Sequence, residues 1–171
     1  MRIGIDNGLS GGMVAISDHC GSVIGWQIMP VTKIGGLNVI DGREVVTWLW
    51  SISGENPAKI KSITIEACPE HANQSSIMRS MGISFGILYG AISAKLPGVK
   101  ICVVRSGNPK DSWQKIMLPG YKKGDTKPMA RKLAKELWPD ESWITKPKGR
   151  TPDMGLVDAA LIAEFSRRQK L

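Results

Sequence analysis

The sequence predicts an α/β domain built on a mixed sheet. Three observations carry this reading. The first 28 residues hold three short runs of strand-forming residues, parted by Gly-rich or polar turns. Further strands then alternate with helical segments. The last third reads as helices and connectors with no further strand signal. Runs joined by tight turns pair antiparallel, whereas strands separated by a helix pair parallel, so one sheet should contain both kinds.

Met1 to Asp6 reads as the first strand. Ile3 and Ile5 fall on one face and Gly4 and Asp6 on the other, because strand side chains alternate. Asn7-Gly8-Leu9-Ser10-Gly11-Gly12 follows as a tight turn. A carboxylate at the end of a buried strand is costly unless something there needs its charge. Gly12–Ser17 and Ser22–Ile28 read as strands around the turn Asp18–Gly21, which completes an antiparallel meander. Residues 30–40 read as a loop containing Gly35-Gly36.

Asp41 is placed to cap a helix running to about Ser53, with Glu44 three residues on as a capping box. Val45, Trp48, Leu49 and Ile52 form its apolar stripe. Ser62–Ala67 is a β-branched strand with Thr64 and Glu66 on one face. A long helix is predicted from about Asn73 to Leu96, with Met78, Met81, Phe85, Leu88 and Ile92 directed to the core. It carries Gly82, Gly86, Gly90 and Ala94 at intervals of four. Glycines cost helix stability, so another element should approach closely there. The sheet is the first candidate, and a second copy of the helix in a dimer is the other.

Val99–Val104 is the next strand. Pro109–Leu118 reads as a short helix, and Gly120–Gly124 as a basic loop. Asp125 or Thr126 caps a helix to about Trp138. Residues 139–152 form a polar connector, and a final helix runs from near Asp153 to Arg168.

The 171 residues suit one domain, 1–171, with a full core. Hydrophobic residues make up 42% and charged residues 22%, as in an ordinary soluble chain. No apolar run reaches bilayer length, and Asp6 with its glycines breaks any signal-peptide pattern. This predicts no membrane partner and a cytoplasmic location. Cys20, Cys68 and Cys102 form no metal-spaced pair and read as reduced thiols, each a small core residue. His19 and His71 have no ligand partner nearby in sequence and read as structural or surface residues.

Charge is unevenly placed. Residues 1–99 hold 7 Lys+Arg against 7 Asp+Glu. Residues 100–171 hold 16 against 8, so the whole net charge of +8 lies there. That asymmetry fits either a polyanionic partner or a plain solvated basic surface.

Four acids stand in apolar or strand-end positions: Asp6, Glu66, Asp153 and Asp158. Asp158 interrupts the run Leu156-Val157-Asp158-Ala159-Ala160-Leu161-Ile162-Ala163. If the first and fourth strands are parallel neighbours, Asp6 and Glu66 lie side by side at the strand ends where α/β sheets carry sites. Crowded carboxylates repel unless they share protons or bind cations. Hard oxygen donors suit Mg²⁺ or Mn²⁺ better than Zn²⁺. Two such ions could activate water and stabilise the leaving oxygen of a phosphodiester.

These residues resemble the RuvC-like Holliday junction resolvases of the ribonuclease H-like superfamily. The resemblance runs in order along nearly the whole chain. It comprises Ile3-Gly4-Ile5-Asp6 with Gly8-Leu9, Ile65-Glu66 before a Gly/Ala-rich helix, Trp113-Gln114-Lys115, Lys127 and Val157–Ala163. The Trp-Gln-Lys segment and the later lysine look most like resolvases carried by bacteriophages. The resemblance implies a five-stranded mixed sheet between helices, three antiparallel strands and then two parallel. It implies a homodimeric Mg²⁺-dependent endonuclease of branched DNA, with two ions and Mn²⁺ able to substitute. The homodimer would form through helix 73–96, in a bacterial cytoplasm.

By position, Asp6, Glu66 and Asp158 are then metal ligands and catalytic, with Asp153 as the fourth. Asp153 lies five residues before Asp158, which on one helix turns it away by roughly 140°. It can therefore serve only from the helix cap or the preceding loop, and Pro152 favours that placement. Lys115 is the candidate site lysine. Lys110, Lys115, Lys122, Lys123 and Lys127 are candidate DNA contacts, with phosphates as their targets. Trp26 and Trp113 are candidate stacking platforms for an unpaired base. Other readings of the same residues are a ribonuclease H-like nuclease acting on flap DNA or RNA–DNA hybrid, and a non-catalytic module that binds branched DNA.

Overall fold

The chain's first strand lies at the centre of its sheet. The structure is a computed structural model that describes residues 1–68, 75–107, 109–122, 124–146 and 149–171. Strand β1 (Arg2–Ile5) pairs antiparallel with β2 (Gly12–Ile16), which pairs antiparallel with β3 (Val23–Ile28). The predicted loop at 30–40 is instead a hairpin of β4 (Val31–Ile34) and β5 (Leu37–Ile40). Gly35 and Gly36 sit at its tip with φ of 56° and 82°, the positive values that two-residue hairpin turns require. The alternation that marks a strand is missing because most of this hairpin is exposed.

Helix α1 (Gly42–Ile52) starts where expected: the Asp41 carboxylate accepts from the N–H groups of Arg43 and Glu44. Strand β6 (Ser62–Glu66) returns to pair parallel with β1, with Ile5 opposite Ile65. Helix α2 (Ser75–Lys95) follows, then β7 (Ile101–Val104), parallel to β6. The sheet order is β3-β2-β1-β6-β7, the five-stranded mixed arrangement expected. Helices α3 (Trp113–Met117), α4 (Thr126–Leu137) and α5 (Met154–Gln169) complete the chain. Among these, α3 is shorter than predicted. Asp125 precedes α4 without the expected side-chain cap bond.

The sheet divides two cores. Ile3, Ile5, Ile63 and Ile65 point to one side and meet Val45 and Leu49 of α1 and Leu88 and Ile92 of α2. On the other side Val14, Ile16 and Val104 meet Trp113 and the Leu156–Ala163 stretch of α5. Alternation fixes this division: Gly4 and Thr64, opposite one another, belong to the α5 face. Gly4 lets α5 lie directly on β1. A Cβ there would fall 2.1 Å from the Ala159 carbonyl oxygen and 2.4 Å from the Ala163 nitrogen. The start of α5 is also stitched to the turn after β1, through a bridge between Gly11 and Gly155.

Two expectations are corrected. Gly82, Gly86 and Gly90 do not meet the sheet; a Cβ on any of them would have nothing within 4 Å. None of the three cysteines is a core residue: Cys20 is exposed, and Cys68 and Cys102 are partly buried. His19 is exposed, and His71 lies outside the described residues. No helix among the described residues is long and apolar enough to cross a membrane.

Candidate active site

Parallel pairing of β1 and β6 brings their C-terminal ends level, so Asp6 and Glu66 emerge next to each other on the α5 face. The Gly4 contact holds α5 against that face, and Asp158 projects from it one residue before Ala159. Asp153 is the N-cap of α5. Its carboxylate accepts from the Gly155 N–H at 3.0 Å and from the Thr145 hydroxyl at 3.4 Å. It thus stands at the helix cap, as its five-residue offset from Asp158 required, and its charge acts on Asp6.

Burial and like charge both act on these acids. Burial raises the Asp6 carboxyl pKa above its ordinary value; the Gly8 N–H, bound at 3.0 Å, opposes this, and the Asp153 charge adds to it. Burial, then the Asp6 charge, pushes Glu66 up to about 7. Burial, then the charges of Asp6 and Glu66, pushes Asp158 up to about 8, against the pull of Lys127. Asp6, Glu66 and Asp158 thus each feel another acid, and Asp6 is the common member. The donor set is that of a hard divalent cation: carboxylate oxygens only, with excess negative charge. Among the described residues, no three His, Cys, Asp or Glu side chains stand close enough to hold an ion without moving.

The basic residues separate into distinct positions. Lys127, exposed at the start of α4, is the lysine whose charge acts on Asp158. The Lys115 ammonium instead rests over the Tyr121 ring, 4.6 Å from its centroid. Lys110 and Lys122 are exposed on loops, and Lys123 lies outside the described residues. Trp113 is fully buried and cannot stack on a base; Trp26 is exposed on β3. The Trp113 indole N–H and the Ser106 hydroxyl both face Glu66 and lower its pKa against the larger effect of burial. The indole nitrogen nevertheless has no bond of regular geometry.

Gln114 holds the loop before α3 by accepting from the Gly107 N–H at 2.8 Å. The Gly107 carbonyl in turn accepts from Ser112 at 2.7 Å and Tyr121 at 2.6 Å. The Trp-Gln-Lys segment is thus a brace beside Glu66, which its sequence alone did not reveal.

Asn7 also went unnoticed. It is fully buried, and its Nδ2 donates to the Glu66 backbone carbonyl at 2.9 Å, clamping the ends of β1 and β6 together. Its Oδ1 is buried with no partner. A polar side chain directly after a strand-end acid was the only available signal.

No protein-family model matches the sequence, and no curated protein is similar to it. Among solved structures, the fold is similar to that of T. thermophilus RuvC in complex with Holliday junction substrate. The two share 15% identity and a TM-score of 0.56, over 98% of this chain and 94% of that one. At that identity the likeness concerns the fold, and the chain has the ribonuclease H-like fold of RuvC.

Proposed function

We propose that the protein is a divalent-cation-dependent endonuclease that cuts branched DNA, four-way junctions in particular. The observation that carries this reading is the convergence of Asp6, Glu66, Asp153 and Asp158 from β1, β6 and α5 onto one sheet end. There burial and neighbouring negative charge raise the pKa values of Asp6, Glu66 and Asp158, the last two to about 7 and about 8. Four acids that repel at this cost are explained by a cationic ligand. The shared fold with RuvC, itself bound to a Holliday junction, supports the substrate class.

In this reading Asp6 is the shared central ligand. Glu66 and Asp158 close from either side, and Asp153 completes the set from the helix cap. A pair of Mg²⁺ or Mn²⁺ ions, when bound, would supply Lewis acidity at the phosphodiester and a more acidic water. The chain's own part is to hold oxygen donors in place, exclude bulk water beneath α5, and set Lys127 beside the phosphate charge. Lys110, Lys115 and Lys122 would contact phosphates farther out.

A homodimer would place two sites on opposing strands. Its support is the open face of α2, where Gly82, Gly86 and Gly90 lie among exposed Ile83 and Tyr89. The bacteriophage-type branch rests on the resemblance of Trp113-Gln114-Lys115 and Lys127 to phage resolvases, and the chain is read as one domain. The test is Asp6→Asn on a synthetic four-way junction. Cleavage in Mg²⁺ should fall at least ~100-fold, with junction binding in EDTA retained, as expected for loss of electrostatic and metal-borne catalysis. Undiminished cleavage would overturn the assignment.

A further inference from the structure

Beyond Lys127, the cationic face of α4 lies outside the carboxylate site, and among the described residues no acid forms an ion pair with it. Among the described residues, the ion pairs are those of Arg2 and Lys61 with Asp18 and of Arg167 and Arg168 with Glu164. None involves α4, although that helix carries Lys127, Arg131, Lys132 and Lys135. Lys127, Arg131 and Lys135 recur every four residues and therefore form one row along the helix, all three exposed. The buried positions Ala130 and Ala134 pack this helix on α5 and fix which way the row faces.

The row has a direction. Lys127 acts on Asp158 inside the site. Arg131 leans on the first turn of α5, with Nε 3.1 Å from the Met154 sulfur, next to Asp153. Lys135 continues away from the site, with Nζ 2.5 Å from the Pro139 carbonyl. One turn of helix between successive cations is ~6 Å. Three cations thus span ~12 Å, the axial length of about three to four phosphates on one strand, at ~3.4 Å per phosphate.

The geometry points to α4 as a phosphate rail: Arg131 and Lys135 hold phosphates of the DNA strand that Lys127 delivers to the carboxylates. This rests on the nuclease reading and extends it to two residues and one path. Contacts of this kind position the strand without reading its sequence. They should act equally on duplex arms, junctions and single strands. An Arg at the middle position suits bidentate phosphate contact.

The experiment is DNA binding by the full chain in EDTA, read by fluorescence anisotropy over a salt series. The probes are a labelled four-way junction and a labelled duplex. Arg131→Gln and Lys135→Gln should each lower the slope of log affinity against log salt by about 0.9 on both probes. Lys59→Gln, at the opposite end of the sheet beside the start of β6, should leave it unchanged. At saturating junction in Mg²⁺, the two rail variants should keep the wild-type cleavage rate while needing several-fold more DNA to reach half of it. All three sites are exposed, and unchanged circular dichroism checks that the variants fold.

Wild-type binding with slopes unaltered by Arg131→Gln and Lys135→Gln would overturn the rail and leave the nuclease reading standing. So would an equal loss in Lys59→Gln. Wild-type binding with the slope losses, but no cleavage in Mg²⁺ or Mn²⁺, would uphold the rail and overturn the nuclease reading. Absence of DNA binding by the wild type would overturn both.

Discussion

At the scale of the residue, the site is a balance between burial and charge. Glu66 and Asp158 reach about 7 and about 8 because burial, then neighbouring acids, penalises their charged forms. A carboxyl whose pKa rises on folding binds its proton more tightly when folded. Its stabilising effect is complete below the unfolded value near 4 and is lost as pH climbs through the folded value. Metal-free protein should therefore lose stability between about pH 4 and pH 8, by at least ~2 kcal/mol, or several degrees in melting temperature. Asp18 and Glu164, held low by their cationic partners, lose their contribution in the opposite direction, as pH falls through the acid range.

Asp158→Asn should raise the melting temperature in EDTA at pH 8, because it removes a charge that the fold must pay to bury. The same substitution should abolish cleavage. Asn7 makes the complementary prediction. Asn7→Ala should lower the cleavage rate and raise the Mg²⁺ concentration for half-maximal activity, because the clamp on Glu66 is lost. A variant that melts lower but needs no more Mg²⁺ would reduce Asn7 to a structural role.

At the scale of the element, two glycine patterns have opposite meanings. Gly4 is a point of close approach: Gly4→Ala forces β1 and α5 apart, and should cost ~1–3 kcal/mol and weaken cleavage by withdrawing Asp158. Gly82, Gly86 and Gly90 face open space. Within one chain, Gly86→Ala should therefore stabilise α2 by up to ~1 kcal/mol. Gly86→Leu should dissociate a dimer packed through that face, read as halved mass in light scattering. A dimer that survives Gly86→Leu would place the interface elsewhere. Sequence spacing showed that these glycines needed a reason but not which one, because four-residue intervals mark a helix face without saying what lies against it.

The strands with one apolar face were readable for a plain reason: alternation in Met1–Asp6 and Ser62–Ala67 is imposed by the core they cover. The hairpin at 31–40 was not, because its strands cover little and follow no burial pattern. The carboxylates were legible as strand-end and mid-helix anomalies. The roles of Asn7, Trp113 and Gln114 were not, since each depends on a partner distant in sequence or on a loop closed by tertiary packing.

At the scale of the molecule, the sheet keeps its two ends apart in function. At one end the fully buried Arg2 joins Asp18, Ser62 and the Leu171 carbonyl, tying β1, β6 and the end of α5 together. At the other end the same three elements present their acids. The lower clasp thus fixes the register on which the upper acids depend. Arg2→Met should destabilise the fold strongly, by ~3–5 kcal/mol, since it removes the buried cation of this network and leaves Asp18 only the exposed Lys61.

A cation that binds the acids should stabilise the folded chain in proportion to the logarithm of its concentration. Millimolar Mn²⁺ should raise the melting temperature at pH 8 and do little at pH 5, where Glu66 and Asp158 keep their protons. The most direct measurement is strand cleavage of a synthetic four-way junction beside a duplex of equal length, in Mg²⁺ and in EDTA. The account predicts cuts in the junction that require Mg²⁺ and little cutting of the duplex. An intact junction in both Mg²⁺ and Mn²⁺, bound by the protein, would contradict it.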